Sequence, residues 1–313
     1  MMDRHVTTAR EVLLVANPDR EATAEAVREV GTRFVAAGLR LRVIDAEVGA
    51  VLDGGSGDAE QPLPYTLLDR NADPAAGAEL VFVFGGDGTL LGATELARPA
   101  RVPVLGVNLG RMGFLAEADS HALAETVQRI VDRQYSIEER MTVDVAVSHA
   151  GEPVARMWAL NEASVEKSSR ELILDALISV DGRPVSSFGC DGVLCATPTG
   201  STAYAFSAGG PIIWPDVEAL VVVPSNAHAM FSRPMVVSRD SVITVDTDPD
   251  GAPGVLTCDG SRHVDLPRGA RVEVAAGRIP VLLVRLWDGP FTDRLVYKFD
   301  LPVKSWRERY PRA

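Results

Sequence analysis

Short apolar runs alternate with amphipathic segments along the first 140 or so residues. Patterns typical of buried strands occupy residues 11–16, 39–44, 79–84 and 102–107. Between them, Val27, Val30 and Phe34 recur at helical spacing, and residues 89–97 have helical character. Strands that alternate with helices predict a Rossmann-like open α/β sheet with substantial parallel pairing.

The pattern changes near residue 141, where short alternating runs replace the helical spacing. They occupy residues 142–147, 154–160, 172–180, 241–246, 271–275 and 281–286. Turns such as Asp181-Gly182 and Asp259-Gly260 separate several runs, and one helix-like segment covers residues 199–207. We therefore expect an α/β domain at residues 1–140 and a β-rich domain at 141–290. A C-terminal segment, 291–313, is expected to pack back on the first domain, and residues 48–64 to form a mobile loop.

Composition and charge exclude several classes of function. The net charge is −12 and the pI about 4.9, which disfavours nucleic acid as a general partner. No apolar run approaches the length that crosses a bilayer, and the first residues lack the apolar core of a signal peptide. The three cysteines match neither a zinc module nor a disulfide framework. The expected location is therefore the cytoplasm, without a membrane partner.

The strongest chemical motif is Gly85-Gly86-Asp87-Gly88-Thr89, directly after a buried strand. Glycines let backbone amides approach a ligand, and amides at a helix start bind phosphate. A carboxylate is a poor phosphate ligand, so Asp87 fits a general base or a metal partner better. The structural alternative is a tight turn with a capping aspartate. The strand-loop-helix context favours the functional interpretation.

A second set of candidates lies in the β-rich half. Asn161-Glu162 follows an apolar run and offers a donor and acceptors to ribose hydroxyls. Asp191 precedes residues 193–196, after which a Thr- and Ser-rich run reaches Tyr204. Hydroxyls and amides at a helix start suit phosphate or ribose, and a tyrosine ring can stack on a base. The alternatives here are a plain turn and a helix cap.

These blocks together resemble the bacterial NAD kinases, most closely the actinobacterial ones. The matching blocks are GGDGTLL at residues 85–91, NLGRMGFLAE at 108–117, NEAS at 161–164 and DGVLCATPTGSTAYAFSAGGPI at 191–212. The resemblance implies a kinase that transfers the terminal phosphoryl group of ATP, or of polyphosphate, to the 2′-hydroxyl of the adenosine ribose of NAD. It also implies a homo-oligomer, a dimer or tetramer.

The resemblance also assigns roles to individual residues. Asp87 matches the proton acceptor, and Gly85, Gly86 and Thr89 belong to the phosphate loop. Mg²⁺ is expected to be held mainly by phosphates, without a protein metal cluster. The positions that match substrate- or nucleotide-binding residues are Asp87, Gly88, Asn161, Glu162, Asp191, Thr202, Ala203, Tyr204, Ala205, Phe206 and Ser207. Some positions depart from the pattern or vary within it: Gly92 stands where some relatives carry an arginine, and Leu172 and Ser261 stand where other members place polar binding side chains.

Three other functions compete with this interpretation. Diacylglycerol-type lipid kinases and phosphofructokinases also resemble the glycine loop, although residues 89–97 offer only Glu95 as an acidic group. A dinucleotide-sensing regulator that is not an enzyme would have the pocket without the carboxylate, whereas Asp87 is present. A nicotinamide oxidoreductase needs a dinucleotide glycine fingerprint, and residues 17–20 carry none.

Overall fold

The computed structural model describes residues 9–17, 21–54, 61–109, 113–116, 118–119, 122–230, 232–287 and 289–303. The chain divides into two compact units. The first comprises residues 1–139 together with 281–313, and the second comprises residues 140–280. The second unit is thus inserted into the sequence of the first.

The first unit is an α/β structure built on one eight-stranded sheet. Its strands are β1 (Glu11–Ala16), β2 (Arg40–Val43), β3 (Tyr65–Leu67), β4 (Leu80–Phe84), β5 (Val104–Asn108), β6 (Ala118–Asp119), β7 (Ser136–Arg140, whose last residue begins the second unit) and β20 (Val281–Arg285). Its helices are α1 (Glu21–Ala36), α2 (Ala46–Leu52), α3 (Asp87–Ala100), α4 (Leu123–Val131) and α6 (Phe291–Phe299).

The strand order is β3-β2-β1-β4-β5-β20-β7, and β6 pairs with β5. Strands β1 to β5 pair in parallel, and β4 is buried along its whole length. The sequence order reverses between β1 and β4, so the carboxyl ends of these two strands flank a topological switch point. Ligands of open α/β sheets bind at such points. The loop that begins at Gly85 lies at this end of β4.

The apolar periodicity of the first unit is confirmed in its core. Val27, Val30 and Phe34 of α1 are fully buried, and the Phe34 ring meets Phe82 of β4 edge to face. Leu123 and Ile130 provide the buried face of α4. Burying each such side chain stabilises the fold by roughly 1.5–3 kcal/mol.

Two expectations for the first unit are wrong. Residues 48–64 are not a loop throughout, because α2 includes their first part and fully buries Val48 and Leu52. Residues 55–60 lie outside the described part of the chain. The apolar run 281–286 was expected in the β-rich half. Instead β20 pairs in parallel with β5, through Leu283 and Val104.

The C-terminal helix α6 belongs to the first unit as well. The Phe114 ring lies 6.3 Å from the ring of Phe291 and 5.5 Å from that of Phe299. Arg294 donates from Nη1 to the carbonyls of Phe114 and Ala116. The helix therefore packs against the segment that follows β5, the segment that also contacts Asp87.

The second unit consists of two six-stranded antiparallel sheets. The first sheet has the order β15-β14-β13-β10-β17-β18, and the second has the order β12-β11-β16-β19-β8-β9. Their strands are β8 (Val143–His149), β9 (Glu152–Ala159), β10 (Glu162–Lys167), β11 (Leu174–Val180), β12 (Arg183–Cys190), β13 (Gly192–Ala196), β14 (Ala219–Ser225), β15 (Met235–Ser238), β16 (Ile243–Thr247), β17 (Gly254–Cys258), β18 (Arg262–Leu266) and β19 (Ala270–Ala276).

One apolar cluster joins the two sheets of the second unit. It includes Val165 and Val193 from one sheet and Ile178 and Val272 from the other, all nearly inaccessible to solvent. Alternate residues of each strand face this cluster, as the period of two predicts. A short 3₁₀ turn, Gly200–Thr202, and the one-turn helix α5, Tyr204–Ser207, follow β13. They occur where the sequence predicts a helix-like segment.

Candidate functional site

The glycine loop of the first unit connects the end of β4 to the start of α3. Gly86 is the N-cap of this helix, and Asp87 is its first residue. The first N–H groups of a helix have no partner inside it, and the helix dipole adds positive charge there. Gly86 and Gly88 are exposed, and nothing lies within 4 Å of a Cβ placed on either. The helix start is therefore open to an anionic ligand.

Gly85 has a different task from the one that the sequence predicts. Its N–H donates to the Val107 carbonyl at 3.0 Å, so this amide is used by the sheet and is not a phosphate donor. Its φ is +156°, and a Cβ there would lie 2.5 Å from Thr89 Oγ1. Gly85 thus provides the close turn that brings Thr89 under the loop. The N–H groups at the start of α3 have no partner inside the helix and remain available to a ligand.

The Asp87 carboxylate contacts the backbone that follows β5. Phe114 N–H donates to Oδ2 and Leu115 N–H donates to Oδ1, each at 3.3 Å. A Cβ on Gly113 would collide with the carboxylate, so a glycine is needed at this position for the contact. The carboxylate is half-exposed and held by two long hydrogen bonds. It is oriented and yet accessible, as a proton acceptor must be.

The second unit places Asn161 on a tightly held turn after β9, and Glu162 follows as the first residue of β10. Thr197 N–H donates to the Asn161 carbonyl at 2.9 Å, and the Thr197 hydroxyl donates to the Leu160 carbonyl at 2.5 Å. Gly200 approaches so closely that a Cβ on it would overlap the Asn161 carbonyl. The turn is thus fixed by the segment that follows β13.

Glu162 is 6% exposed, and its environment disfavours the charged form. Burial raises the pKa of its carboxyl group to about 8, and the nearby Asp259 carboxylate contributes to that rise. The Tyr204 N–H donates to the Glu162 carboxyl group and opposes the shift. Glu162 Oε2 has no hydrogen-bond partner among the described residues. A buried polar atom of this kind needs a partner, and a ligand or an ordered water can provide one.

Hydroxyl groups in the run that follows β13 form hydrogen bonds within the fold, whereas the sequence predicts that they contact a ligand. Ser201 Oγ donates to the Pro198 carbonyl at 2.6 Å and accepts the Ile213 N–H at 2.9 Å. Thr202 Oγ1 donates to the Thr199 carbonyl at 3.2 Å. The Thr202 hydroxyl therefore donates its hydrogen within the turn, and its oxygen remains able to accept a hydrogen bond from a ligand.

The segment from Ala203 to Ser207 divides into a buried and an exposed part. The Ala205 side chain is fully buried in an apolar cluster with Leu194 and Val223, so its methyl group is not available to a ligand. Tyr204 and Phe206 are 42% and 39% exposed, Ser207 is exposed, and Ala203 is half-buried. Tyr204, Phe206 and Ser207 are therefore the accessible residues of this turn.

Tyr204 and Asp191 belong to a polar group beside this turn. The Tyr204 hydroxyl donates to Glu166 Oε1 at 2.8 Å, and burial together with that carboxylate raises its pKa to about 12. Lys167 Nζ lies 2.5 Å from Asp191 Oδ1, and Asn226 Nδ2 donates to Oδ2 at 2.8 Å. The hydrogen bond from Lys167 lowers the pKa of Asp191. Asp191 therefore presents a stable negative charge.

The three cysteines do not add to this site, whereas His228 is one of the groups that lower the pKa of Asp191. All three cysteines are buried, and burial raises the pKa of each thiol to about 12. The His228 side chain is exposed, while its backbone N–H donates to the Gly189 carbonyl at 2.8 Å. Within the part of the chain that the structure describes, no group of three His, Cys, Asp or Glu side chains could hold a metal ion. In the same part, no helix is long and apolar enough to cross a membrane.

Sequence reasoning missed three contributors to the site. The Phe114 and Leu115 amides orient Asp87, Lys167 pairs with Asp191, and Asp259 contacts the Asn161-Glu162 turn. Asp259-Gly260 is visible in the sequence only as a turn. A backbone amide carries no sequence signal at all, and the partner of a lysine cannot be read from the sequence without the register of the sheet.

The fold and the first unit's loop define a class of protein. A parallel sheet carries a glycine loop at its switch point, a helix start faces the solvent, and a carboxylate stands at the first helical residue. This is an α/β nucleotide-binding protein equipped for phosphoryl transfer.

Comparison with known proteins gives the family. The model of the ATP-NAD kinase N-terminal domain matches residues 12–135, and that of the ATP-NAD kinase C-terminal domain matches residues 160–286. An NAD kinase of Thermobifida fusca is 53% identical over 307 residues, covering 97% of this chain and 93% of the relative. NAD kinase 2 of Streptomyces avermitilis is 53% identical over 304 residues, covering 96% and 98%. The chain belongs to the NAD kinase family.

Solved structures show the same two-part fold. The yeast NADH kinase complexed with NADH superposes with a TM-score of 0.85 at 21% identity, covering 96% of this chain and 90% of that one. An NAD kinase from Archaeoglobus fulgidus in complex with ATP gives 0.69 at 22% identity, covering 93% and 100%. The family assignment decides against the lipid-kinase, phosphofructokinase and oxidoreductase alternatives.

Proposed function

We propose that this chain transfers the terminal phosphoryl group of ATP to the 2′-hydroxyl of the adenosine ribose of NAD, giving NADP, with Asp87 as the general base. The observation that carries the proposal is the Asp87 carboxylate at the open start of α3, held by the Phe114 and Leu115 amides. Near-full-length relatives named NAD kinase support the choice of substrates.

The reaction needs positioning and charge neutralisation more than covalent help from the protein. The 2′-hydroxyl oxygen attacks the terminal phosphorus, the bond from that phosphorus to the bridging oxygen of ADP breaks, and the hydroxyl proton passes to an Asp87 carboxylate oxygen. The N–H groups at the start of α3 stabilise the phosphate oxygens. The two backbone bonds keep the carboxylate oriented during the transfer.

Mg²⁺ enters this scheme as part of the nucleotide substrate. Mg²⁺ keeps several waters and is bound mainly through phosphate oxygens in kinase sites, so the metal would neutralise charge on the phosphates. The match to the ATP-NAD kinase family supports ATP as the donor. Polyphosphate is the alternative donor.

The acceptor is selected by residues of the second unit. Asn161 and the buried Glu162 would contact the nucleotide, with Asp191, Thr202, Ala203, Ser207 and the exposed rings of Tyr204 and Phe206 around it. The unpartnered Oε2 of Glu162, judged among the described residues, supports this assignment. A protonated Glu162 donates one hydrogen bond and accepts others, so it suits a ligand that carries both kinds of group.

We also propose a cytoplasmic homo-oligomer, a dimer or tetramer, as the working form. The three free, buried cysteines fit a reducing compartment. The molar mass in solution, measured by light scattering, tests the oligomer.

The test of the chemistry is Asp87→Asn. The change removes the proton acceptor and keeps the size of the side chain, so kcat should fall by about 10²–10⁴-fold while circular dichroism shows an intact fold. Asp132→Asn, at an exposed position that accepts a bond from Gln128, is the matched control and should keep the wild-type kcat. A folded Asp87→Asn protein with wild-type kcat would remove Asp87 from the reaction.

The test of the substrates is NADP formation from NAD, with ATP or polyphosphate, and with or without Mg²⁺. NADP should form with ATP and Mg²⁺, whereas fructose 6-phosphate and diacylglycerol should give no product. Absence of NADP under every condition overturns the proposed function.

A further inference from the structure

We propose that Asp259 is a positioning residue for the acceptor nucleotide: its carboxylate and its backbone together fix the turn that presents Asn161 and Glu162. This inference rests on the proposed function, in which that pair contacts NAD. Asp259 lies in the turn between β17 and β18 and has no assigned role in the reaction.

Three hydrogen bonds join Asp259 to the turn. Leu160 N–H donates to Oδ2 at 2.9 Å, and Asn161 N–H donates to Oδ1 at 2.7 Å. The Asp259 N–H donates in return to the Glu162 carbonyl at 3.0 Å. One residue therefore fixes the backbone before, at and after Asn161, and the directions of both side chains follow from that backbone.

Only a carboxylate makes this set of contacts without a mismatch. Both Asp259 oxygens accept from backbone N–H groups, and the side chain is 1% exposed. An asparagine would present one oxygen and one NH₂ group, so a donor would face one of the two N–H groups. A buried donor without an acceptor costs roughly 1–3 kcal/mol.

The local backbone and charge both hold Asp259 in place. Asp259 and Gly260 have φ of 51° and 69°, the left-handed pair that tight antiparallel turns need. Arg262 Nη2 lies 2.6 Å from Asp259 Oδ2, and its guanidinium stacks 4.5 Å above the Trp158 ring. The negative charge of Asp259 is thus compensated by a guanidinium that is itself held in position.

The same carboxylate contributes to the field at Glu162. The groups that face Glu162 are the Asp259 and Glu166 carboxylates and the Tyr204 N–H. Asp259 is the larger of the two acidic contributions that raise the pKa of Glu162, after burial. Removing its charge would make Glu162 easier to ionise, so the effect of pH on nucleotide binding would move to lower pH.

A second Asp-Gly turn in the same unit offers a matched control. Asp181 and Gly182 have φ of 52° and 72°, and Asp181 Oδ1 accepts the Val242 N–H at 2.9 Å. The Asp181 N–H donates to the Val242 carbonyl at 2.9 Å. This turn thus has the same local geometry but contacts Ser241 and Val242 rather than the Asn161-Glu162 turn.

The experiment compares Asp259→Asn, Asp181→Asn and the wild-type chain in steady-state NADP formation at saturating ATP. Asp259→Asn should raise KM for NAD by about tenfold or more while kcat falls less, because the phosphoryl-transfer residues are untouched. The pH at which KM changes should also move to lower pH. Asp181→Asn should keep the wild-type KM and pH profile.

Two results would overturn the inference: a wild-type KM in folded Asp259→Asn, or an equal rise in KM in both variants.

Should Asp259→Asn fail to fold, Arg262→Gln removes the ion pair and leaves the carboxylate in place. It should raise KM by about threefold, and a wild-type KM there also overturns the inference. Asn161→Ala distinguishes a failure of this inference from a failure of the proposed function. A wild-type KM for NAD in Asn161→Ala would show that the Asn161-Glu162 pair does not contact the nucleotide.

Discussion

The loop around Asp87 and the turn around Glu162 carry carboxylates in opposite environments. Asp87 is half-exposed and held by two bonds of 3.3 Å, at an open helix start. Glu162 is buried, its pKa is raised to about 8, and its turn is held from two sides by bonds of 2.5–3.0 Å. A proton acceptor needs access and modest restraint, whereas a selective contact needs a fixed, dry position. Under the proposed function, Asp87 of the first unit serves the chemistry and Glu162 of the second unit serves the selection of the acceptor.

Of the changes that test this comparison, Gly113→Ala should cause the largest loss of kcat, and it should disturb the Asp87 carboxylate without disturbing the Glu162 turn. The new Cβ would displace the Asp87 carboxylate, and since this carboxylate is the end of a flexible side chain, the fold should lose little stability. Misplacement by about 1 Å costs on the order of 10²-fold in kcat. Steady-state kinetics and thermal unfolding measure the two quantities.

Gly92→Ala is the control for that change, because nothing lies within 4 Å of a Cβ at Gly92, in the helix that begins at Asp87. It should keep the wild-type kcat and gain about 0.5–1 kcal/mol of stability from helix propensity. An equal loss of kcat in both variants would show that α3 itself, rather than the carboxylate, was disturbed.

Gly200→Ala should disturb the turn that carries Asn161 and should also lower the stability of the fold. Its Cβ would overlap the Asn161 carbonyl, a backbone atom that cannot swing away. The expected loss is about 1–3 kcal/mol of unfolding free energy, with a higher KM for NAD. Gly277→Ala crowds Thr142 elsewhere in the same unit and should lose stability without a change in KM. If KM rises equally in both, the rigidity of the Asn161 turn is not what sets affinity.

Glu162→Gln should change how stability depends on pH. The pKa of Glu162 is about 8 in the folded chain and 4.5 as its ordinary value, so the folded state holds the proton more tightly. The tighter binding of this proton stabilises the folded state. The stabilisation is complete below about pH 4.5 and is lost as the pH rises to about 8, at up to roughly 1.4 kcal/mol per pH unit. Urea unfolding from about pH 5 to about pH 9 should therefore show a shallower decline in Glu162→Gln.

The exposed Glu152 on β9 provides the control for this measurement. Glu152→Gln should keep the wild-type steepness of the decline. A Glu162→Gln protein that declines as steeply as the wild type contradicts the contrast between the two carboxylates, because Glu162 would then behave as an ordinary acid.

Tyr204→Phe should give the smallest effect. The change removes the hydroxyl that donates to Glu166 and leaves the exposed ring in place. A stacking role for the ring predicts a KM for NAD within about threefold of wild type and a stability change below about 1.5 kcal/mol. Tyr204→Ala should raise KM further. If Tyr204→Phe alone gives the whole loss, the hydroxyl and not the ring face contacts the nucleotide.

Periodicity was enough to predict most elements, and its failures have physical causes. The run that forms β20 is apolar and short, and such a run fits a parallel or an antiparallel sheet equally well. Only its pairing with β5 assigns it to the first unit. Helix α2 was missed because turn-forming residues follow it closely and hide the spacing of Val48 and Leu52.

The candidate site divides in the same way. Asp87 and Glu162 stand in local motifs, so the sequence alone is enough to select them as candidates. Asp259 is brought to Asn161 by the register of the sheet, because β17 pairs with β10 and places its turn there. The side chain of Ala205 is buried, and a motif does not tell which of its members face the core.

The late return of the chain to the first sheet bears on how the protein is made. β20 lies between β5 and β7 in that sheet, and it leaves the ribosome only after the entire inserted unit. Domains fold as units during synthesis, so the β-rich unit, contiguous in sequence, can complete its core first. The α/β unit begins earlier and finishes later, and its long-range closure is expected to set the pace of maturation.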